Sequence, residues 1–147
     1  LSNFISISVN IPDLKKVFKD LEGAPIILDS FAEAAALEAQ NLAIRDVPKD
    51  LGFLASSINV EPNRGVAPSG VWVLKANSDY APYVEFGTGG KVDVPEELKN
   101  FALQFKGQKD IAGQKAQPYL YPSALVGQKK FKDFLLKWID KTKNNKG

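Results

Sequence analysis

Apolar and polar positions alternate at the start of the chain. Ile5, Ile7, Val9 and Ile11 are separated by Ser6, Ser8 and Asn10, the period of a half-buried strand. Pro12 suits a first helical turn. Leu14, Val17, Phe18 and Leu21 then share one face of a short helix, with Gly23 as its stop. From Pro25, Leu28, Phe31, Ala35, Ala39 and Leu42 form a second helical stripe in an alanine-rich segment. Asp29 and Glu33 lie toward its positive end and Arg45 toward its negative end. Pro48 disfavours helix at Val47 and ends it there. This is the longest expected helix and the main one packed on a sheet.

Gly52 turns the chain into a short apolar segment, Leu51, Phe53 and Leu54, and a strand follows over Ser57–Glu61. PNRGVAPSG is dense in turn residues, and VWVLKAN alternates again. Two strands around that turn predict an antiparallel hairpin with a long loop. In VPEELKNFALQFKG, Asp93 or Val94 is the cap, Pro95 takes a first-turn position, and Leu98, Phe101, Ala102 and Phe105 mark a helix ended by Gly107. Residues 107–115 read as a mobile loop. Lys115–Tyr119 is a candidate fourth strand. The last helix is expected from Pro122 to about Lys141, with Leu125, Phe131, Leu135, Trp138 and Ile139 as its buried stripe. Strands and helices are mixed without βαβ alternation. The expectation is therefore one α+β domain over 1–147: a small antiparallel sheet packed against a long helix and a C-terminal helix, with a flexible basic end at about 141–147.

Composition narrows the chemistry. A chain of 147 residues is long enough for a real core. No apolar run reaches the length of a membrane span, and LSNFISISVN lacks a signal-peptide pattern. The chain opens on Leu1 and not Met, as expected of a trimmed terminus or a tag scar, and cytoplasmic localisation is the expectation. Without Cys or His there is no thiolate nucleophile, Cys-ligated zinc, Ser-His triad or imidazole ligand. Carboxylate chemistry and oxygen-ligated Mg²⁺ or Ca²⁺ stay open, but no cofactor or metal site is expected. Charge is uneven: residues 128–147 hold seven Lys against Asp133 and Asp140, a net of +5 within an overall +2. This end is either a solvated helix face or a surface for an acidic protein, nucleic acid or membrane, and packing on the protein's own sheet outranks the membrane.

One stretch draws the eye as candidate chemistry: YAPYVEFGTGG, residues 80–90. It lacks the spacing of a phosphate loop. Glu85 can serve as a general acid or base with Asp79 or Asp93. It can also be structural, accepting from backbone N–H groups of the glycine turn or pairing with a Lys, and the structural role is preferred because a lone carboxylate is weak evidence for catalysis. Tyr80, Tyr83, Phe86, Tyr119 and Tyr121 sit in two proline-marked stretches and suit a core or an interface equally.

Three segments in order, PKDLGFLASSI, YAPYVEFGTGG and AQPYLYPSAL, resemble the head–tail joining or tail-completion family of long-tailed bacteriophages. The family's patterns "P-x-(T/L)-G-x-L-x-x-S-I", "Y-A-x-Y-V-E-F-G-T" and "A-(R/Q)-P-(F/Y)-L-x-P-A-L" map onto Pro48–Ile58, Tyr80–Thr88 and Ala116–Leu125. The likeness covers Ala32 to the last helix, and VPEELKNFALQFKG is similar to an insertion in some members. Leu51 stands where Thr is common, Gln117 where Arg is frequent, and Ser123 is inserted. The resemblance implies a non-enzymatic α+β protein of virion assembly, made in the host cytoplasm and ending at the head–tail junction. Its partners would be copies of itself in a ring, hexameric in related proteins, the tail tube protein and head-closure or neck proteins. Phage DNA would pass through the ring without sequence-specific binding. Tail terminator and other neck component both stay open. The expected contact motif is Tyr80, Pro82, Tyr83, Glu85, Phe86, Gly87, Thr88 and Gly89 with Pro118, Tyr119, Tyr121 and Pro122. The competing classes are a nucleic-acid-binding module using the Lys-rich helix and a hydrolase centred on Glu85.

Overall fold

In the computed structural model, which describes residues 5–9, 24–62, 71–102 and 113–144, the alternating segments pair into one antiparallel sheet. Strands β1 (Ile5–Val9), β2 (Ile58–Pro62) and β3 (Trp72–Ala76) lie in the order β1-β3-β2. The register aligns Ile7 with Leu74 on one side of β3 and Val60 with Leu74 on the other. The hairpin expected between β2 and β3 is present, and both strands fall within a residue or so of their predicted bounds. Ile11, the helix predicted over residues 12–21 and the turn at 63–70 lie outside the described residues.

Helix α1 (Ala24–Asp46) and helix α5 (Tyr121–Asn144) pack against each other and on the sheet. The buried line of α1 is narrower than predicted. Ala32, Ala35, Ala36, Ala39 and Ala43 expose no surface, while Leu28, Phe31 and Leu42 are half-buried along its flank. Small side chains allow the helices to approach closely. A Cβ added to Gly127 of α5 would stand 3.0 Å from Ala39 Cβ and 3.1 Å from the Ala35 carbonyl oxygen. The larger groups close the seam beside that crossing: Phe31 stacks on Phe134 at 5.7 Å, meets Trp138 edge-on at 6.5 Å, and Glu38 pairs with Lys130.

Four expectations change. Leu125 is exposed, because Ala124, Gly127, Phe131 and Leu135 form the face of α5 that turns inward. Asp29 lies beyond the first turn of α1, which holds no acid; it is buried and accepts the indole N–H of Trp72 at 3.1 Å, joining helix to sheet. The helix after Pro95 is a 3-10 turn (Glu96–Leu98) running into α4 (Lys99–Ala102), and residues 103–112, most of the predicted mobile loop included, lie outside the described residues. Residues 115–119 form no strand, because their backbone groups bond elsewhere. Helix α5 starts at Tyr121 and runs on to Asn144, and residues 145–147 lie outside the description.

Leu51, where the family pattern favours Thr, occupies the N-cap of the short helix α2 (Gly52–Ser56), which has no side-chain cap bond. A Thr there would supply one. Leu51 packs on the main core cluster.

Candidate functional site

Residues 80–90 fold as a helix with a sharp exit, α3 (Ala81–Phe86), and not as an open glycine loop. Ser78 begins it: its Oγ accepts the Tyr80 N–H at 3.3 Å and its carbonyl accepts the Ala81 N–H at 3.1 Å. Pro82 sits in the first turn, where its missing N–H costs nothing. Gly87 ends the helix with φ +79 and donates to the Tyr83 carbonyl at 2.9 Å. Only glycine takes that backbone conformation without strain.

Segment 113–121 is stitched along the end of α3. Thr88 N–H donates to the Gln114 carbonyl at 2.9 Å, and Gln114 N–H donates back to Thr88 Oγ1 at 2.7 Å. Gln117 N–H donates to the Val84 carbonyl at 2.8 Å, a bond that a fourth sheet strand would have used. The approach leaves no room at Gly87: a Cβ would lie 2.7 Å from the Lys91 carbonyl oxygen and 2.8 Å from both Ala116 N and the Gln114 carbonyl oxygen. Gly113 likewise crosses the Thr88 carbonyl where a Cβ would collide with it.

Glu85 is the centre of this join. It is 2 % exposed. Its Oε2 accepts the N–H groups of Tyr119 and Leu120, each at 2.9 Å, and its Oε1 accepts that of Tyr121 at 2.8 Å. Tyr119 and Leu120 lead into α5 and Tyr121 is its first residue, whose N–H has no partner inside the helix. The next residue, Pro122, has no N–H to satisfy. A carboxylate at this end also meets the positive end of the helix dipole. Burial pushes the Glu85 carboxyl above its ordinary value, and the bonds from Leu120, Tyr119 and Tyr121 pull it back in part. Burial and the neighbouring carboxylate hold the Tyr119 phenol far above the usual tyrosine range.

The predicted residues divide by depth. Pro82, Glu85, Phe86, Gly87 and Tyr119 are buried, Tyr83, Thr88, Gly89 and Tyr121 half-buried, and Tyr80, Pro118 and Pro122 exposed. Phe86 meets Phe101 edge-on at 6.5 Å within the core, while Tyr80 meets the exposed Phe53 at 6.0 Å. Gly89 also takes a positive φ, +59. Glu85 accepts backbone N–H groups as the structural reading required, but from the start of α5 and not from the glycine turn. Asp79 and Asp93 are exposed and do not share its buried site. Among the described residues no group of three or more carboxylates gathers in a metal-holding arrangement. Sequence reasoning missed Ser123, read only as an insertion. It is buried and donates to the Tyr119 carbonyl at 2.7 Å, bracing the same helix start.

Residues 11–87 match the family model described as "Bacteriophage HK97-gp10, putative tail-component". The match spans more than half of the chain and ends on Gly87, the helix-ending glycine described above. The chain belongs to this family of phage tail components. No curated protein and no solved structure matches it. No helix among the described residues is long and apolar enough to cross a membrane.

Proposed function

We propose that the protein is a non-enzymatic virion-assembly component at the head–tail junction, a ring-forming tail-completion or tail-terminator protein joining the tail tube to the neck. The carrying observation is the state of Glu85. The one carboxylate in residues 80–90 is buried and engaged by three backbone donors, so it builds a rigid shape and is not presented to solvent for a substrate. Rigid turns and aromatic anchors serve heterologous contacts that close by rotation. Partners in this reading are further copies of the chain, the tail tube protein and a head-closure protein, with DNA passing through the opening. The test is a phage in which this gene carries a stop codon. The reading expects filled heads and separate tails that fail to join, restored by supplying the protein. Normal infectious particles without it would sink the reading.

A further inference from the structure

Among the described residues no strand pairs with the outer side of β1 or β2, and the hydrogen-bond phase says which groups face out. Asn77 N–H donates to the Ser57 carbonyl at 3.1 Å, so Ser57–Asn77 is a bonded pair of the β2–β3 ladder. Alternation then makes Asn59–Lys75 and Glu61–Val73 the bonded pairs. Ile58, Val60 and Pro62 therefore turn their backbone groups away from β3. The Ile58 carbonyl confirms the direction, since Gln40 Nε2 of α1 reaches it at 3.0 Å from outside the sheet. On the opposite side β3 presents Trp72, Leu74 and Ala76 to β1, whose bonded residues are Val9, Ile7 and Ile5. Ser6 and Ser8 then point their N–H and carbonyl groups outward.

The open groups match in number and kind. With Gln40 on the Ile58 carbonyl and no N–H on Pro62, the β2 edge offers the N–H groups of Ile58 and Val60 and the carbonyls of Val60 and Pro62. The β1 edge offers two N–H and two carbonyl groups from Ser6 and Ser8. On β2, the Ile58 and Val60 N–H groups and the Val60 and Pro62 carbonyls have no hydrogen-bond partner among the described residues. Beside the β2 edge, Leu37 and Ile44 flank Gln40 on the surface of α1, 43 % and 41 % exposed. Open edges of this kind template strand addition.

We propose that the β2 edge of one subunit takes the β1 edge of the next copy, so that the sheets of neighbouring subunits run on as one, with Leu37 and Ile44 packing on the incoming subunit. Strands β1 and β2 are both antiparallel to β3 and hence parallel to each other. Rotation about an axis near the strand direction keeps them parallel across the joint, where evenly spaced slanted bonds use both groups of each outward residue. The contact is heterologous, as a closed ring requires. This inference rests on the ring reading above and names its joint.

Hydrogen exchange read by mass spectrometry on the wild-type chain, dilute and in purified tails, tests it. Backbone amides at Ile58 and Val60 and at Ser6 and Ser8 should gain protection together on assembly, by at least ~10-fold. Val60→Pro and Ser8→Pro remove an outward N–H and no bond of the β1-β3-β2 ladder, Val60→Pro also trimming a side chain that packs on the main core cluster; each should keep the folded circular dichroism spectrum and lose ring formation by native mass spectrometry. Rings whose two edges stay unprotected would overturn the joint and leave the ring standing. Protection at one edge alone would assign the edge to a different partner and overturn the proposal. Absence of any self-association, even in tails, would remove the ring reading together with it.

Discussion

Glu85 and Leu120 lie 35 positions apart in the chain, and the carboxylate of the first holds the backbone N–H of the second at 2.9 Å. The same carboxylate holds the N–H groups on either side. Two sequence motifs thereby become one unit: α3 sets the carboxylate, and the carboxylate starts α5. Several structural consequences can be measured.

Removing the carboxylate strands three N–H groups and opens a hole in the core. Glu85→Ala should cost about 3–5 kcal/mol, as breaking a buried charged contact does. Glu85→Gln keeps the shape but turns an amide N–H₂ toward a donor, and should cost about 1–3 kcal/mol. Urea denaturation of the three proteins provides the comparison. Equal midpoints would contradict the clasp.

The acidity of Glu85 has a definite direction. Its folded value is raised, chiefly by burial, above an unfolded value of about 4.3. The folded protein therefore takes up this proton before the unfolded chain does. The contribution of this carboxyl to stability is fully present below the unfolded value, falls as pH rises through the folded value, and is level above it. A ¹³C titration of the side-chain carboxyl should give a midpoint above that of free glutamate. A midpoint at or below that value contradicts the assignment.

Gly87 and Gly90 should respond very unequally to the same change. Gly87→Ala forces an L residue to φ +79 and drives a Cβ onto three backbone atoms, and should cost at least about 3 kcal/mol. A Cβ at Gly90 meets nothing within 4 Å, so Gly90→Ala should stay within about 0.5 kcal/mol of wild type. Thermal melts of the pair separate a glycine required by its backbone from one that is tolerant.

Trp72→Phe removes the N–H that reaches the buried Asp29 at 3.1 Å. The loss should be about 1–3 kcal/mol. Trp138, the remaining tryptophan, reports the unfolding transition by fluorescence.

How legible this was in the sequence depended on the range of the signal. Period-two alternation marked β1 and β3, and proline placement marked the bounds of α1 and the start of α5, because those signals are local. The inward face of α5 was misread at Leu125, since periodicity does not reveal that Gly127 meets the Ala35–Ala39 stretch and so rotates the contact. Asp29 looked like a dipole residue because its partner, Trp72, lies in another layer. No helix was read over residues 80–90, where three glycines and Pro82 stand out, although YVEF continues a helix that Pro82 is free to open. The structural role of Glu85 followed from the missing catalytic partners, but its donors did not. They come from a segment brought close only by the fold, and backbone N–H groups leave no mark in a sequence. Lys115–Tyr119 was a candidate strand because nothing local told that the Gln117 N–H goes to the Val84 carbonyl of α3.

The central claim is that this motif is an intrachain structural clasp in a phage tail component. NMR on a dilute, monomeric sample tests it most directly, by following the amide protons of Tyr119, Leu120 and Tyr121 while Glu85 titrates. The account predicts three slowly exchanging amides whose shifts follow the Glu85 carboxyl with a single midpoint. Amides that exchange freely, or that respond only after subunits associate, would contradict it.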